Sequence, residues 1–320
     1  MSDLPRALAE AIRRLADERG RKGLAESASQ MSAHYRQRGA SRQVIGAAGD
    51  ALAYALSRMP ATYAAVSAVL EELQRRAPDF APGSVLDVGC GPGTASWAVA
   101  EAYPGAALTL VDHNREFLLL AEALAADGAA GPVDLRLGDL AGFDLGKTSE
   151  VVVCAYALTE LADTQVTEAV ERLWRHSAGV LVIVEPGRPR DYQRLMQVRR
   201  HLIEAGGRVL APCPHERECP LVEPDWCHFS VRLSRSRDHI RMKGASLGYE
   251  DEKYSYLVVA RPGIGAAAPG RILRRPEENK FSVTLSVCGE AGLETRVVAS
   301  RDKPAFKAAR KLEWGDPVES

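Results

Sequence analysis

The sequence lacks long hydrophobic runs and any large excess of charge. No apolar stretch approaches the ~18 residues that a membrane-spanning helix needs, and the longest candidate, Val180 to Val184, is strand-sized. Asp3, Glu10, Asp17 and Glu18 interrupt any apolar secretory segment near the amino terminus and depart from the acid-poor pattern of a mitochondrial presequence. The expectation is a cytoplasmic protein with no membrane partner. Lys and Arg number 41 against 42 Asp and Glu, a net charge of -1 over 320 residues. Such a balance argues against a nucleic-acid partner, DNA included, held by net charge alone. Cysteine is scarce, with six residues, and in a cytosolic chain of this length six cysteines are no disulfide framework, so clustered ones read first as metal ligands or redox groups.

What is present is an ordinary globular composition, 46% hydrophobic and 26% charged, which rules out disorder and collagen-like or coiled-coil architecture. The charge is unevenly spread. Residues 1–187 carry 17 basic and 24 acidic side chains, whereas residues 188–320 carry 24 basic and 18 acidic ones. Residues 1–80 read as helical: Leu4, Leu8, Ile12 and Leu15 share one face, a loop follows near 36–41, and apolar-periodic stretches run over 44–59 and, after Pro60, over 61–75. From Ser84 the texture changes to five short apolar runs, Val85–Val88, Leu108–Val111, Val133–Leu137, Val151–Cys154 and Val180–Val184, separated by helix-length segments. This alternation predicts an α/β fold with a doubly wound parallel sheet. Beyond Glu185 a helix is expected over 191–204, then a Cys/Pro/His-rich loop over 212–228 and a basic stretch over 232–243. A strand over 254–260, a flexible connection at 263–269 and a hairpin of 281–288 with 293–300 complete the expected order.

The first run enters a glycine-rich turn, Asp87-Val88-Gly89-Cys90-Gly91-Pro92-Gly93-Thr94, followed by a helix. Glycines permit tight turns and close ligand approach, and the free N–H groups of a helix start meet polar ligand atoms. The spacing G-x-G-x-G differs from the G-x-G-x-x-G of dinucleotide folds. Asp112 ends the second run, where a carboxylate is placed to accept ribose hydroxyls, and Asp139 follows the third, where an acid faces an adenine amino group. Together Asp87, Gly89, Gly91, Gly93, Asp112 and Asp139 resemble the S-adenosylmethionine site of class I methyltransferases, against the alternative of a glycine turn without a ligand. His113 reads as a helix-start residue, and Asp127, Asp134 and Asp144 as solvated acids. The fourth run, Val151 to Leu161, carries neither the Asn/Asp-Pro-Pro-aromatic motif of base-amino methyltransferases nor the Pro-Cys signature of cytosine carbon-5 enzymes. No catalytic residue is identified, and Cys90 and Cys154 read as small packing residues.

Cys213, Cys219 and Cys227 fall within one proline-dense loop. A tetrahedral or cubane site needs a fourth ligand; Cys288 beside a hairpin turn is one candidate, and His215 and His228 are others. Zinc and an iron–sulfur cluster both suit such thiolates, and spacing does not choose between them. Arg232, Arg235, Arg237, Arg241 and Lys243 follow, and they read either as a phosphate-facing RNA patch or as a solvated basic face.

With these residues in view, the chain resembles the methyltransferase-like small-ribosomal-subunit protein family, known as a mitochondrial ribosome assembly factor and its bacterial homologues. The resemblance rests on Arg58-Met59-Pro60-Ala61-Thr62-Tyr63, the glycine loop, Glu185-Pro186-Gly187, Cys213-Pro214-His215, Cys219-Pro220-Leu221, Asp225-Trp226-Cys227-His228-Phe229, Tyr249 to Tyr254 and Trp314-Gly315-Asp316. It implies binding to small-subunit rRNA during assembly, bound S-adenosylmethionine, and a [4Fe–4S] cluster on Cys213, Cys219, Cys227 and Cys288. Three regions are expected: 1–80 helical, 81–207 binding S-adenosylmethionine, and 208–320 carrying the cluster and the basic charge. A non-catalytic assembly scaffold and a zinc-containing small-molecule methyltransferase are the competing readings.

Overall fold

The valine-rich runs form the centre of the molecule. In the computed structural model, which describes residues 3–21, 23–36, 45–126, 132–140, 142 and 145–318, they are β1 (Ser84–Val88), β2 (Ala107–Asp112), β3 (Val133–Leu137), β4 (Ser149–Ala155) and β5 (Ser177–Pro186). Neighbours pair in parallel in the order β3-β2-β1-β4-β5. Val151 to Cys154 and Val180 to Val184 are fully buried, because strands covered on both faces need apolar side chains at successive positions rather than alternate ones. Helices α5 (Thr94–Ala102), α6 (Arg115–Leu124), α7 (Asp163–His176) and α8 (Pro189–Glu204) connect or follow them. Strand order reverses between β1 and β4, which opens a crevice at the carboxyl ends of those strands.

The regular strand–helix alternation stops after α8. Strands β6 (Arg208–Ala211), β7 (Phe229–Ser234) and β8 (Tyr249–Ala260) complete the sheet. β8 lies antiparallel to β5, with Val182 opposite Val258. Its free edge is shared end to end: β6 pairs with Val258 to Ala260 and β7 with Tyr249 to Tyr254. β6 therefore runs parallel to β1–β5, and six parallel strands with one reversed strand inserted between the last two are the class I methyltransferase architecture. The sheet thus runs past residue 207 and takes three strands from the region 208–320.

The remaining carboxyl-terminal strands build a second, antiparallel sheet: β9 (Gly270–Ile272), β10 (Glu277–Glu278), β11 (Ser282–Gly289), β12 (Gly292–Ala299) and β13 (Pro317–Val318). β11 and β12 form the expected hairpin, with Gly289 opposite Gly292 across Glu290-Ala291. Ile272, Val283, Leu285 and Val287 pack with Ala309 of α10 (Lys303–Ala309) as its core. The connection at 263–269, expected to be flexible, is tied down. Ala266 N–H donates to Arg76 O at 3.0 Å, and a Cβ on Gly265 would stand 2.5 Å from that same oxygen.

Before the sheet lie α1 (Arg6–Arg19), α2 (Leu24–Arg36), α3 (Ala48–Ser57) and α4 (Met59–Arg76). Leu8 and Ile12 are buried as their spacing predicts, and Pro60 sits in the first turn of α4, where its missing N–H leaves no bond unmade. Helix α2 falls within the stretch expected to be helical, and Leu24, Ala28 and Met31 form its buried stripe. Arg21 pairs with Asp238, and Asp3 Oδ1 accepts the Ser234 N–H at 2.9 Å, which fastens the helices to the β7–β8 region. Most of the expected 36–41 loop, with Asp127 and Asp144, lies outside the described residues; Asp134 is a surface acid paired with Arg136 at 2.6 Å. No described helix is long and apolar enough to cross a membrane, and α4 instead packs its length against α5 and β8.

Candidate functional site

The turn after β1 has backbone that favours glycine. Gly89, Gly91 and Gly93 have φ of 73°, 56° and 81°. A Cβ on Gly89 would lie 2.5 Å from the Ala157 Cβ, and one on Gly93 2.7 Å from the Trp97 ring, while one on Gly91 would meet nothing within 4 Å. Gly89 and Gly93 therefore let the loop pack down, and Gly91 presents open backbone. Asp87 lies beneath the loop, 1% exposed. Its Oδ2 accepts from the Ser96 N–H at 3.0 Å and the Ser96 hydroxyl at 2.7 Å, which anchors the start of α5. Oδ1 is buried and has no partner among the described residues. Burial pushes this carboxyl up to about 7, against the pull of the Ser96 bonds, so a donor brought by a ligand would favour its ionised form.

Asp112 joins the loop to the end of β2. Its Oδ2 accepts from the Gly91 N–H and its Oδ1 from the Asn114 N–H, both at 2.8 Å. A carboxylate has about four lone-pair positions, so with the His113 backbone also bearing on it, Asp112 keeps room for a further donor. Asp139, half-buried after β3, turns the chain there through its carbonyl, which accepts from Gly142 N–H at 3.3 Å. The helix-start role expected of His113 falls to Asn114. The Asn114 Oδ1 accepts from the N–H groups of Glu116 and Phe117, and its Nδ2 donates to Ile45 O at 2.9 Å, drawing the segment before α3 over the site. At the end of β4, Tyr156 has φ 59°, the one positive value outside glycine among the described residues. A bulky residue there costs about 1–3 kcal/mol. Tyr156 is held by its N–H to Val184 O at 2.7 Å and by its hydroxyl, which donates to Glu252 Oε1 at 2.9 Å. Cys90 and Cys154 are buried among apolar residues, and burial raises both thiols far above their ordinary range.

The 212–228 segment forms no helix or strand and wraps Cys213, Cys219 and Cys227 around one cavity, where they meet Cys288 of β11. Tyr192 and Met196 of α8, Tyr256 of β8 and Arg271 of β9 form its other walls. The Tyr192 hydroxyl donates to Cys219 Sγ at 3.1 Å. His215 also lines the cavity, with Nε2 3.7 Å from Cys288 Sγ. His228 stacks on Trp226, ring centroids 4.6 Å apart, and abuts the edge of Trp314. Among the described residues no three ligand side chains are already converged for a metal ion. Burial and the mutual repulsion of neighbouring thiolates push Cys227 far up and Cys288 to about 12, so these thiols stay protonated unless a cationic centre compensates them. Two buried guanidinium groups stand close. Arg199 donates to His215 O at 2.5 Å, and Arg271 donates to Pro212 O at 3.1 Å and to Glu72 at 2.5 Å. None of Tyr192, Arg199, Arg271 or Asn114 was marked by spacing or motif.

The basic stretch divides into two kinds. Arg232 forms a two-pronged pair with Asp251 at 2.7 and 2.8 Å. Glu250 gathers Arg235 at 3.4 Å, His239 at 3.1 Å and Lys243 at 2.5 Å. Arg237 and Arg241 of α9 (Arg237–Lys243) are exposed. Acids on β8 thus neutralise three of the five cations singled out in the sequence, and the outer face of α9 keeps two.

Comparison with known proteins adds the lineage. The family described as mitochondrial small ribosomal subunit Rsm22 matches residues 48–319. The human ribosome assembly protein METTL17, mitochondrial, is 29% identical over 292 residues, which cover 84% of this chain; the chain spans 62% of the length of that relative. Among solved structures, magnesium protoporphyrin IX methyltransferase from Synechocystis PCC 6803 with bound SAM is 16% identical, over 73% of this chain and 92% of that one, with a TM-score of 0.43. The N-methyltransferase NodS from Bradyrhizobium japonicum WM9 with bound SAH is 16% identical, over 61% and 85%, with a TM-score of 0.41. The family and the human relative are both described as mitochondrial, which overturns the cytoplasmic expectation drawn from the acidic amino-terminal residues. With 48–319 matched end to end, from α3 to the second sheet, the chain belongs to the Rsm22 family of small-ribosomal-subunit proteins.

Proposed function

We propose that the chain is an S-adenosylmethionine-binding assembly factor of the small ribosomal subunit that carries a [4Fe–4S] cluster on Cys213, Cys219, Cys227 and Cys288. One observation carries this reading: a loop and a distant hairpin deliver four cysteines to a single cavity between the methyltransferase sheet and the second sheet. Four cysteines lining one cavity supply the thiolate set that a [4Fe–4S] cluster takes, with His215 beside them as the other candidate donor. When bound, the cluster supplies cationic irons that keep the buried thiols deprotonated and cross-link the 212–228 loop to β11. Tyr192 donates a hydrogen bond to one ligand sulfur, and Arg199 and Arg271 offset the added negative charge.

The cofactor site fits its ligand on two counts: the unpartnered Oδ1 of Asp87 beneath the loop and the open backbone at Gly91. Asp112 would take the ribose hydroxyls and Asp139 the adenine side, with Gly89 and Gly93 shaping the turn between them. The bound molecule supplies an activated methyl group. Residues 1–80, 81–207 and 208–320 then act as helical cover, cofactor domain and cluster-bearing RNA side, with β6, β7 and β8 of the last region completing the cofactor sheet. On that last side Arg237 and Arg241 face phosphates, while Arg232, Arg235 and Lys243 brace the surface through their acidic partners.

The ribosomal role is supported by family membership and by the human relative's description as a ribosome assembly protein. Gradient sedimentation of the full chain from cells accumulating small-subunit precursors tests it. Co-migration with the precursors, weakened by Arg237→Glu/Arg241→Glu, is expected, and a chain found only at the top of the gradient would overturn the reading. Calorimetry with S-adenosylhomocysteine tests the cofactor site independently.

A further inference from the structure

A second cavity lies at the carboxyl ends of β4 and β5, away from the cysteines. Its volume is about 120 Å³, enough for one planar ring system. Tyr54 of α3 and Tyr156 bring aromatic surface to it, and Glu252 of β8 brings a carboxylate. One oxygen of Glu252 accepts the Tyr156 hydroxyl; the other makes no hydrogen bond among the described residues. Burial pushes the Glu252 carboxyl up, so an N–H donor from a ligand would favour the ionised acceptor. The cavity adjoins the cofactor loop, because Ala157, next in sequence to Tyr156, is the residue against which Gly89 packs.

The rim is predominantly basic, with Glu160 its one acid among the described residues. Arg58, Arg188 and Arg190 line the same cavity. The Arg190 guanidinium is fixed by Asp191 Oδ1, at 2.9 Å from Nε and 2.6 Å from Nη2, and by Thr159 Oγ1 at 2.8 Å. Arg188 is exposed at the start of α8. Aromatic faces with a carboxylate acceptor select a flat heterocycle that carries N–H donors, and forked guanidinium groups select phosphate. A nucleotide within a strand presents both, in that spatial order.

We infer that this cavity captures one unstacked nucleobase of an RNA strand, with Tyr54 and Tyr156 against its faces, Glu252 accepting from its amino or imino edge, and Arg58, Arg188 and Arg190 holding the flanking phosphates. The inference rests on the RNA partner proposed above and specifies how that partner enters the fold. Capture requires no methyl transfer, since extruding and holding a base is a docking step in its own right. Tyr156 is therefore a base-contacting residue, and its left-handed backbone is the geometry that turns its ring out of β4 and toward Glu252.

The test uses the full chain and hexameric RNA strands that are abasic except for one central A, C, G or U, beside a wholly abasic strand. Binding is measured by fluorescence anisotropy with S-adenosylhomocysteine present and absent. At least one base-bearing strand is expected to bind about tenfold tighter than the abasic one, the order of one base stacked on aromatic side chains. Glu252→Gln and Tyr156→Ala should each remove that preference. Arg188→Ala should weaken all strands alike, and the affinity for S-adenosylhomocysteine should stay within about twofold in Glu252→Gln. Equal binding of base-bearing and abasic strands, a preference that survives Glu252→Gln, or displacement of S-adenosylhomocysteine by the base-bearing strand would each overturn the inference. Failure of the wild-type chain to bind S-adenosylhomocysteine would count instead against the cofactor site proposed above.

Discussion

Replacing Glu72 by Gln should strand a buried cation at the edge of the cysteine cavity. Glu72 on α4 and Arg271 on β9 are each 2% exposed and meet at 2.5 Å. The same carboxylate also faces Arg75 at 2.9 Å and Arg76 at 3.3 Å, so one acid balances three guanidinium groups. Without it, Arg271 keeps only the neutral carbonyls of Pro212 and Gly315 as hydrogen-bond partners among the described residues. Breaking a buried pair from one side costs about 3–5 kcal/mol. Gln retains a neutral acceptor, which places the expected loss near the lower end, about 3 kcal/mol. With a urea slope of about 3 kcal/mol/M for a chain of this length, the unfolding midpoint should fall by about 1 M. Equilibrium urea unfolding followed by tryptophan fluorescence reads this directly. The double variant Glu72→Gln/Arg271→Met removes the stranded charge and should cost about 2–3 kcal/mol less than the two single changes together. Single effects that simply add, within about 0.5 kcal/mol, would refute the claim that these residues stabilise one another.

Gly89→Ala should weaken binding of S-adenosylhomocysteine at least about tenfold in calorimetry, because both the positive φ and the 2.5 Å approach to Ala157 force the loop to move; an unchanged affinity would contradict the loop geometry. Glu250 gives an acid-side test. Burial raises its carboxyl, but bonds from His239 and Lys243 outweigh that and bring it to about 2, below the ordinary 4.5. A depressed carboxylate contributes stability that is complete above the ordinary value and is lost as pH falls toward the folded one. Stability measured by denaturant unfolding should therefore decline between about pH 4.5 and 2. Glu250→Gln should lower stability at pH 7 and flatten that decline, and parallel pH curves for the two proteins would count against the cluster.

Periodicity carried the parallel sheet well because its strands are buried on both faces: a run such as Val180 to Val184 has few other ways to be satisfied. The hairpin at 289–292 was legible for a similar local reason, two glycines flanking a two-residue turn. The residues that join distant parts were not legible. Asn114 spans to Ile45, Tyr156 to Glu252, and Arg271 to Glu72, and none of these pairings leaves a mark in local sequence. The basic stretch shows the same limit from the other side. Five cations in sequence suggested an open patch, but strand register sets Asp251 opposite Arg232, and the fold brings Arg235 and Lys243 to Glu250. The cysteines lie between these cases. Their clustering was visible in sequence, whereas the cavity that Cys288 shares with the loop depends on how the second sheet packs.

Metal analysis of the anaerobically isolated full chain bears hardest on the four-cysteine reading. Iron and acid-labile sulfide in equal amounts, near four of each per chain, with a visible charge-transfer band, are expected for the native protein. Cys227→Ser and Cys288→Ser should each lose most of both while the chain stays folded by circular dichroism. Stoichiometric zinc without iron, or full iron retention in Cys288→Ser, would contradict it.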